Sequence, residues 1–144
     1  MVRKATYSDA HAIKKLVRKA WALTPYGHLP ISDVKLSRTV HEYLTHQRSR
    51  IWVSVVDGEV KGVLAGSVGQ LEVSECLGAT DSIFYCRTGE GPELIGRYVK
   101  WAKKQGAAQC MDGLGMLVER NAAVFYLWRN LYPDTQPVLD MLRK

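Results

Sequence analysis

Ile83-Phe84-Tyr85 runs directly into Cys86-Arg87-Thr88-Gly89-Glu90-Gly91, and Pro92-Glu93-Leu94-Ile95 follows at helical spacing. An apolar strand, two glycines one residue apart and a helix N-terminus form a combination suited to an anion. Glycine lets a ligand approach the backbone, successive N–H groups point at it, and the helix dipole favours its charge. The same turn has a purely steric reading, because many strand-to-helix connections use glycine as punctuation. At this level both readings stand.

Other residues capable of chemistry carry less. Cys76, Cys86 and Cys110 lack C-x-x-C spacing. They argue against a disulfide framework or a zinc site and read as small buried hydrophobes. His41-Glu42-Tyr43-Leu44-Thr45-His46 imitates the zinc motif H-E-x-x-H. Its second histidine stands at i+5, about 140° round a helix from the first, so both cannot face one metal. Lysine and arginine number 20 against 14 acids, a net +6. That excess favours an anionic partner such as nucleic acid, a phosphorylated cofactor or an acidic protein. The pairs Lys14-Lys15, Arg18-Lys19 and Lys103-Lys104 fall on helical patterns and read as solvated faces. With the basic residues scattered and no stacking motif present, nucleic-acid binding is not expected.

The elements that must position the turn follow from periodicity. At 144 residues, with 47% hydrophobic and 24% charged residues, the chain reads as one globular domain over 1–144. Residues 2–6 suit a short strand, and Ser8 looks like an N-cap. Ile13, Leu16, Val17, Ala20 and Trp21 then mark an amphipathic helix. Thr24 to Pro30 is a loop, and Ser32 or Asp33 caps a second helix with Leu36, Val40, Tyr43 and Leu44 on one face. Ile51–Val56 is strand-like, Asp57-Gly58 is a hairpin turn, and Val60–Val68 returns as the next strand. Residues 69–75 read as a loop, and a strand from about Thr80 to Cys86 leads into the glycine turn. The following helix puts Leu94, Ile95, Tyr98, Val99 and Ala102 on one stripe and stops at Gly106. Ala108–Val118 reads as a strand interrupted by Gly113 and Gly115. A helix carrying Val124, Leu127, Trp128 and Leu131 ends at Pro133 and Pro137, and Val138–Leu142 suits a final strand. The order β-α-α-β-β-β-α-β-α-β predicts a mixed, mostly antiparallel central α/β sheet flanked by about four helices.

This order and these motifs resemble the GCN5-related N-acetyltransferase (GNAT) family over essentially the whole chain. Val2 to Thr6 with Ser8-Asp9-Ala10 and Ile13 looks like that family's first strand and helix, and Trp52 to Gly62 like its second and third strands. The family's acetyl-CoA motif is Arg or Gln, two residues, Gly, one residue, then Gly or Ala. Gly89 and Gly91 match its small positions, Cys86 replaces Arg or Gln, and Arg87 stands one place later. Asn121, Val124, Leu127, Trp128 and Leu131 resemble the family's closing Asn-x-x-Ala-x-x-Leu-Tyr-x-x-Leu-Gly-Phe pattern, with Trp128 at the tyrosine and Tyr132-Pro133 at Gly-Phe. The chain also looks like small acetyltransferase-like proteins of bacteriophages, through Phe84-Tyr85, the two glycines and Trp101.

The resemblance implies acetyl-CoA as co-substrate, lying in a V-shaped split between the strand before the turn and the strand after its helix. Its pantetheine arm would pair with the backbone near residues 83–86, which brings Tyr85 and Cys86 against it. Its pyrophosphate would rest on the N–H groups of Arg87, Thr88, Gly89, Glu90 and Gly91, with Arg87 adding charge-assisted contacts. Glu90 opposes this unless its side chain turns to solvent. Pro92 suits the first helical turn but cannot donate to a phosphate. Asn121 would contact the pantetheine or cap the last helix, and Trp128 would stand beside the cofactor. Acetyl transfer needs a neutral amine, donors for the oxyanion and an acid for the thiolate. Asp81, Glu72 and Asp112 are candidate bases, with Asp81 foremost. Tyr132, about 40° from Trp128 on a helix, replaces the usual tyrosine acid better than Tyr126 does. Tyr26 and His28, in the loop where the family often closes over its acceptor, are the substrate contacts. The expectation is an N-acetyltransferase acting on a protein or small-molecule amine. A catalytically impaired binding protein of the same fold, such as a phage factor engaging a host protein, is the alternative. No metal, membrane span or signal peptide is expected, which suggests a cytoplasmic monomer or dimer.

Overall fold

The computed structural model describes residues 1–111 and 134–142. A five-stranded sheet runs β1 (Val2–Lys4), β2 (Ser49–Val56), β3 (Glu59–Gln70), β4 (Leu77–Cys86) and β5 (Ala107–Met111), its neighbours in chain order. The first four strands are antiparallel; β4 and β5 are parallel. A parallel neighbour needs a crossover, and helix α3 (Gly91–Lys104) supplies it. Helices α1 (Ala10–Ala22) and α2 (Asp33–Thr45) lie between β1 and β2 in sequence, and α4 is Gln136–Leu142. This is the mixed, mostly antiparallel α/β architecture that the element order predicts, with four helices among the described residues. None of those helices is long and apolar enough to cross a membrane.

Each face of the sheet has its own core. On one face Leu94, Ile95, Tyr98, Trp101 and Ala102 of α3 pack on Trp52, Leu64, Val68 and Ala79. On the other, Ile13 and Leu16 of α1 with Leu36 and Val40 of α2 cover Ile51, Val53, Val63 and Ala65. Adjacent residues on β2 and β3 therefore serve opposite cores, the period-2 consequence of the pleat. The α3 face is aromatic: Trp52 meets Tyr98 and Trp101 edge-on at 6.1 and 5.4 Å between centroids. Tyr98 is fully buried against Gly66, where a Cβ would stand 2.5 Å from its ring. Glycine is what lets α3 settle onto β3 there.

Local signals hold where neighbours in sequence decide. Asp57 and Gly58 take positive φ (52° and 76°), as a two-residue hairpin turn requires. Ser32 caps α2 by accepting from the Lys35 N–H, and Gly106 at φ 84° ends α3. Two expectations are corrected. Ser8 is not the N-cap. Thr6 enters a 3-10 turn over Tyr7–Asp9, and Asp9 precedes α1, its carboxylate accepting from the Thr6 N–H at 2.8 Å. That carboxylate also receives both Arg3 guanidinium nitrogens, at 2.7 and 2.9 Å. The Arg3 hydrogen bonds hold the nearly buried Asp9 carboxyl down at about 2, against the desolvation that would raise it. Residues 138–142 are not a strand but part of α4. Asp134 accepts from the Gln136 N–H, and the Gln136 side chain reaches Asp140 one turn on. Pro137 opens that helix rather than ending an earlier one, since the first turn needs no N–H.

Candidate functional site

β4 delivers the glycine turn, and a bulge decides what it presents. Across β3, Ile83 pairs with Ala65 and Asp81 with Gly66, so Ser82 is the extra residue. Before the bulge, Leu77 and Ala79 face α3; after it, Phe84 is exposed and Cys86 faces α3, while Ile83 and Tyr85 face α1 and α2. Bulges re-aim side chains in this way and gather next to binding sites. Ser82 is also hydrogen-bonded through its hydroxyl to Tyr43 of α2. Neither Ser82 nor Tyr43 was a sequence candidate. A bulge leaves only a slip of one residue in alternation, which a strand with polar residues on one side does not reveal.

Beyond Cys86, residues 87–90 connect β4 to α3, with Glu90 as N-cap and Pro92 in the first turn. Neither Gly89 nor Gly91 has positive φ. A Cβ at Gly89 would meet nothing within 4 Å, and one at Gly91 only the Phe84 ring at 3.4 Å, an ordinary contact. Nothing among the described residues therefore demands glycine at either position, which weakens the steric reading of the turn. Their N–H groups, with that of Thr88, make no hydrogen bond to another described residue. Unpaired donors at a helix N-terminus, with room above them, are what an anion needs.

The flanking side chains separate. The Cys86 thiol donates to the Thr88 carbonyl at 3.3 Å and lies 3.3 Å from the Thr88 hydroxyl. Arg87 is exposed and lines a groove beside α1, together with Tyr85 and Thr88. The Glu90 carboxylate turns inward rather than to solvent, so the condition that would relieve its opposition to an anion is not met. The carboxylate accepts from the fully buried Ser54 hydroxyl and lies 2.5 Å from the Met1 ammonium. The physical reason is that a buried hydroxyl needs a partner, and the positive end of α3 favours a carboxylate there.

Asp81 stands on β4 next to the bulge, half-buried. Glu72 is exposed in the turn before β4, at that strand's far end from the glycines. Tyr26 and His28 are exposed in the α1–α2 loop; Tyr26 stacks on Trp21 at 6.2 Å, and the His28 ring lies 3.1 Å from the Pro25 carbonyl. Those contacts stay within α1 and the loop and do not join them to the glycine turn. His41 rests against Tyr7, whereas His46 has left the helix and accepts from the Arg48 N–H. Asn121, Trp128 and Tyr132, with Asp112 and Tyr126, lie outside the described residues. The β4–β5 register runs to Thr80↔Met111, the last described pair, so the expected split beyond it also lies outside them.

No family model matches the chain. In fold it is similar to AAC(6')-Iy in complex with the bisubstrate analogue CoA-S-monomethyl-acetylneamine, at TM-score 0.65 and 17% identity over 78% of this chain and 77% of that one. An aminoglycoside acetyltransferase from an uncultured soil metagenomic sample matches at 0.63 and 17%, over 93% and 89%. A predicted acetyltransferase from Clostridium acetobutylicum with acetyl-CoA matches at 0.64 and 16%, over 78% and 79%. The fold is thus that of GNAT acetyltransferases. Sequence relatives carry another name. Over 51 residues the chain is 65% identical to shikimate dehydrogenase (NADP(+)) of Coxiella burnetii, covering 35% of this chain and 19% of that enzyme. Over 112 residues it is 33% identical to the enzyme of that name from Colwellia psychrerythraea, covering 78% and 38%. The chain spans only about a fifth to two fifths of the length of these curated relatives.

Proposed function

We propose that the chain is an acetyl-CoA-dependent N-acetyltransferase of the GNAT kind that transfers an acetyl group to an amine. The observation that carries this reading is the turn: Gly89 and Gly91 are glycines that no described residue requires, over N–H groups without a partner among the described residues. A Cβ there would fill the space a pyrophosphate needs. The neighbours that share the fold and hold acetyl-CoA or a CoA analogue support the choice of anion.

In this reading Thr88, Gly89 and Gly91 hold the pyrophosphate through backbone N–H groups, and Arg87 adds a cation. The β4 backbone near residues 83–86 pairs with the pantetheine and supplies an N–H to the developing oxyanion. Asp81, directly or through water, takes the proton of the attacking amine. Tyr132 returns a proton to the departing thiolate sulfur, with Asn121 and Trp128 against the pantetheine. Tyr26 and His28 contact the acceptor. Acetyl-CoA itself supplies only the activated thioester. Titration calorimetry with acetyl-CoA tests the binding half, and thiol release in the presence of protein and small-molecule amines tests the transfer half. No heat and no thermal shift at millimolar acetyl-CoA refutes the reading.

Glu90 favours a second reading. Its carboxylate stands at the helix end where phosphate would bind, and Cys86 replaces the motif's polar residue. A catalytically impaired protein of this fold, such as a phage factor that engages a host protein, would show no thiol release with any amine. The name of the sequence relatives raises a third activity, NADP-dependent oxidation. A dinucleotide fingerprint needs G-x-G-x-x-G between parallel strands. Here Leu94 stands at the third glycine, and the parallel β4–α3–β5 unit is a single one at the edge of an otherwise antiparallel sheet. We therefore do not adopt it; NADPH formation from shikimate by this chain would reverse that choice.

A further inference from the structure

The bulge at Ser82 turns Tyr85, and with it Arg87, toward α1, and there β4 meets a feature that the acetyl-transfer reading touches only at Arg87 and Thr88. An open groove of about 560 Å³ runs between α1, the β2–β3 hairpin and the end of β4. Its walls carry Lys15 and Lys19 from α1, Lys61 from β3, and Tyr85, Arg87 and Thr88 from β4 and the turn. The volume is that of a small-molecule pocket.

Its charge is one-sided. Both carboxylates in the lining are already engaged: Asp9 by Arg3, and Glu59 by Lys61. Lys15, Lys19 and Arg87 form no ion pair with a described residue. Lys15 and Lys19 stand at i and i+4, side by side on the helix, an arrangement that like-charge repulsion disfavours. The potential is felt locally: the Glu59 carboxyl is drawn below its ordinary value, first by the Lys61 hydrogen bond and charge, with Lys15 adding to it. Three cations with no ion-pair partner among the described residues, one a planar fork, line this one concavity beside Tyr85 and Thr88. That set matches a dianionic, oxygen-rich group better than a single carboxylate. A polycationic amine would meet repulsion there.

We propose that this groove binds the phosphate group of a small phosphorylated molecule, at a site separate from the glycine turn. The glycine turn presents backbone N–H groups at the α3 terminus, whereas the groove presents side-chain cations beside α1. The two meet only at Arg87 and Thr88.

Calorimetry on the full chain at low salt tests this, with O-phosphoethanolamine as probe and ethanolamine as its phosphate-free control. The phosphorylated probe should bind and the control should not. Lys15→Glu with Lys19→Glu should weaken the probe at least tenfold and leave acetyl-CoA binding unchanged. Lys15→Arg with Lys19→Arg should retain the probe. Gly89→Val should do the reverse of the double glutamate variant, keeping the probe and losing acetyl-CoA. Equal binding of ethanolamine, or a double glutamate variant that binds the probe normally, overturns the proposal. So does a parallel loss of acetyl-CoA in that variant, which would make the groove part of the donor site. Binding confined to long oligonucleotides with a steep salt slope would replace the small molecule with a polyanion. If acetyl-CoA fails to bind the unaltered chain while the probe succeeds, the acetyl-transfer reading falls and the groove stands.

Discussion

Two pairs of glycines in this molecule sit at sites of opposite kind. Gly62 and Gly66 on β3 are hemmed in by their own fold: a Cβ would lie 3.0 Å from the Cys86 sulfur at the first, and 2.5 Å from the Tyr98 ring at the second. Gly89 and Gly91 in the turn face open space or one ordinary contact. The former pair is explained by what α3 and β4 need in order to pack. The latter pair has no steric explanation among the described residues, and a ligand over the turn would supply one. A glycine without a steric reason is better evidence for a ligand than the G-x-G pattern, which cannot tell the two kinds apart.

The strongest way to break this contrast is Gly66→Ala. The added methyl cannot be accommodated without moving a fully buried ring, so the variant should lose about 3 kcal/mol, near the upper end for overpacking. The midpoint of denaturant unfolding reads it, and a loss under 1 kcal/mol would show that Tyr98 can move aside. Asp9 offers a polar counterpart, a carboxylate whose partners all lie within the fold. Its folded carboxyl, at about 2, lies below the unfolded value, so its stabilisation is present above about pH 4 and disappears as pH falls toward 2. Asp9→Asn should cost about 2 kcal/mol at neutral pH and flatten stability across that acid window. A variant with an unchanged acid limb contradicts the assignment.

The turn should behave in the opposite sense. Gly89→Ala should stay within about 0.5 kcal/mol of the unaltered chain in stability, as substitutions in open surface positions do. Yet it should weaken acetyl-CoA about tenfold by calorimetry. A large loss of stability without a change in binding would move Gly89 into the company of Gly66. The smallest effect is expected at Glu90. Glu90→Gln keeps an acceptor for the Ser54 hydroxyl and removes a negative charge beside the turn. Acetyl-CoA should bind a few-fold more tightly, and weaker binding would mean that the carboxylate belongs to the site rather than opposing it.

Much of the frame was readable from local pattern. The helical stripes of α1, α2 and α3, the Asp57-Gly58 turn and the strand that feeds the glycines all rest on neighbours within a few residues. The family resemblance drew on the same features. What escaped reading were contacts between residues far apart. Tyr43 and Ser82 are 39 residues apart, and Ser54 and Glu90 are 36. The direction of the Glu90 side chain was left open, because its local setting in a turn says nothing about a buried hydroxyl on β2. Residues 138–142 misled for a related reason. Pro137 looks like a stop, and only the Asp134, Gln136 and Asp140 hydrogen bonds show it opening a helix.

The sequence by itself determined the type and order of β1 to β5 and α1 to α3, which stripe of each of those helices is apolar, and that a glycine turn precedes α3. These follow from steric and hydrogen-bonding rules that act over a few residues. Only the tertiary structure decided that β4 bulges at Ser82, that Cys86 therefore faces α3 and Arg87 the α1 side, that Glu90 turns inward, and that no described residue makes a steric demand on the turn's glycines. Each of these depends on which strand or helix lies alongside, and the pleat converts a one-residue slip into a change of face. The same slip carries Arg87 to the lysines of α1, so the cationic groove exists in the folded molecule and has no counterpart in any stretch of the sequence.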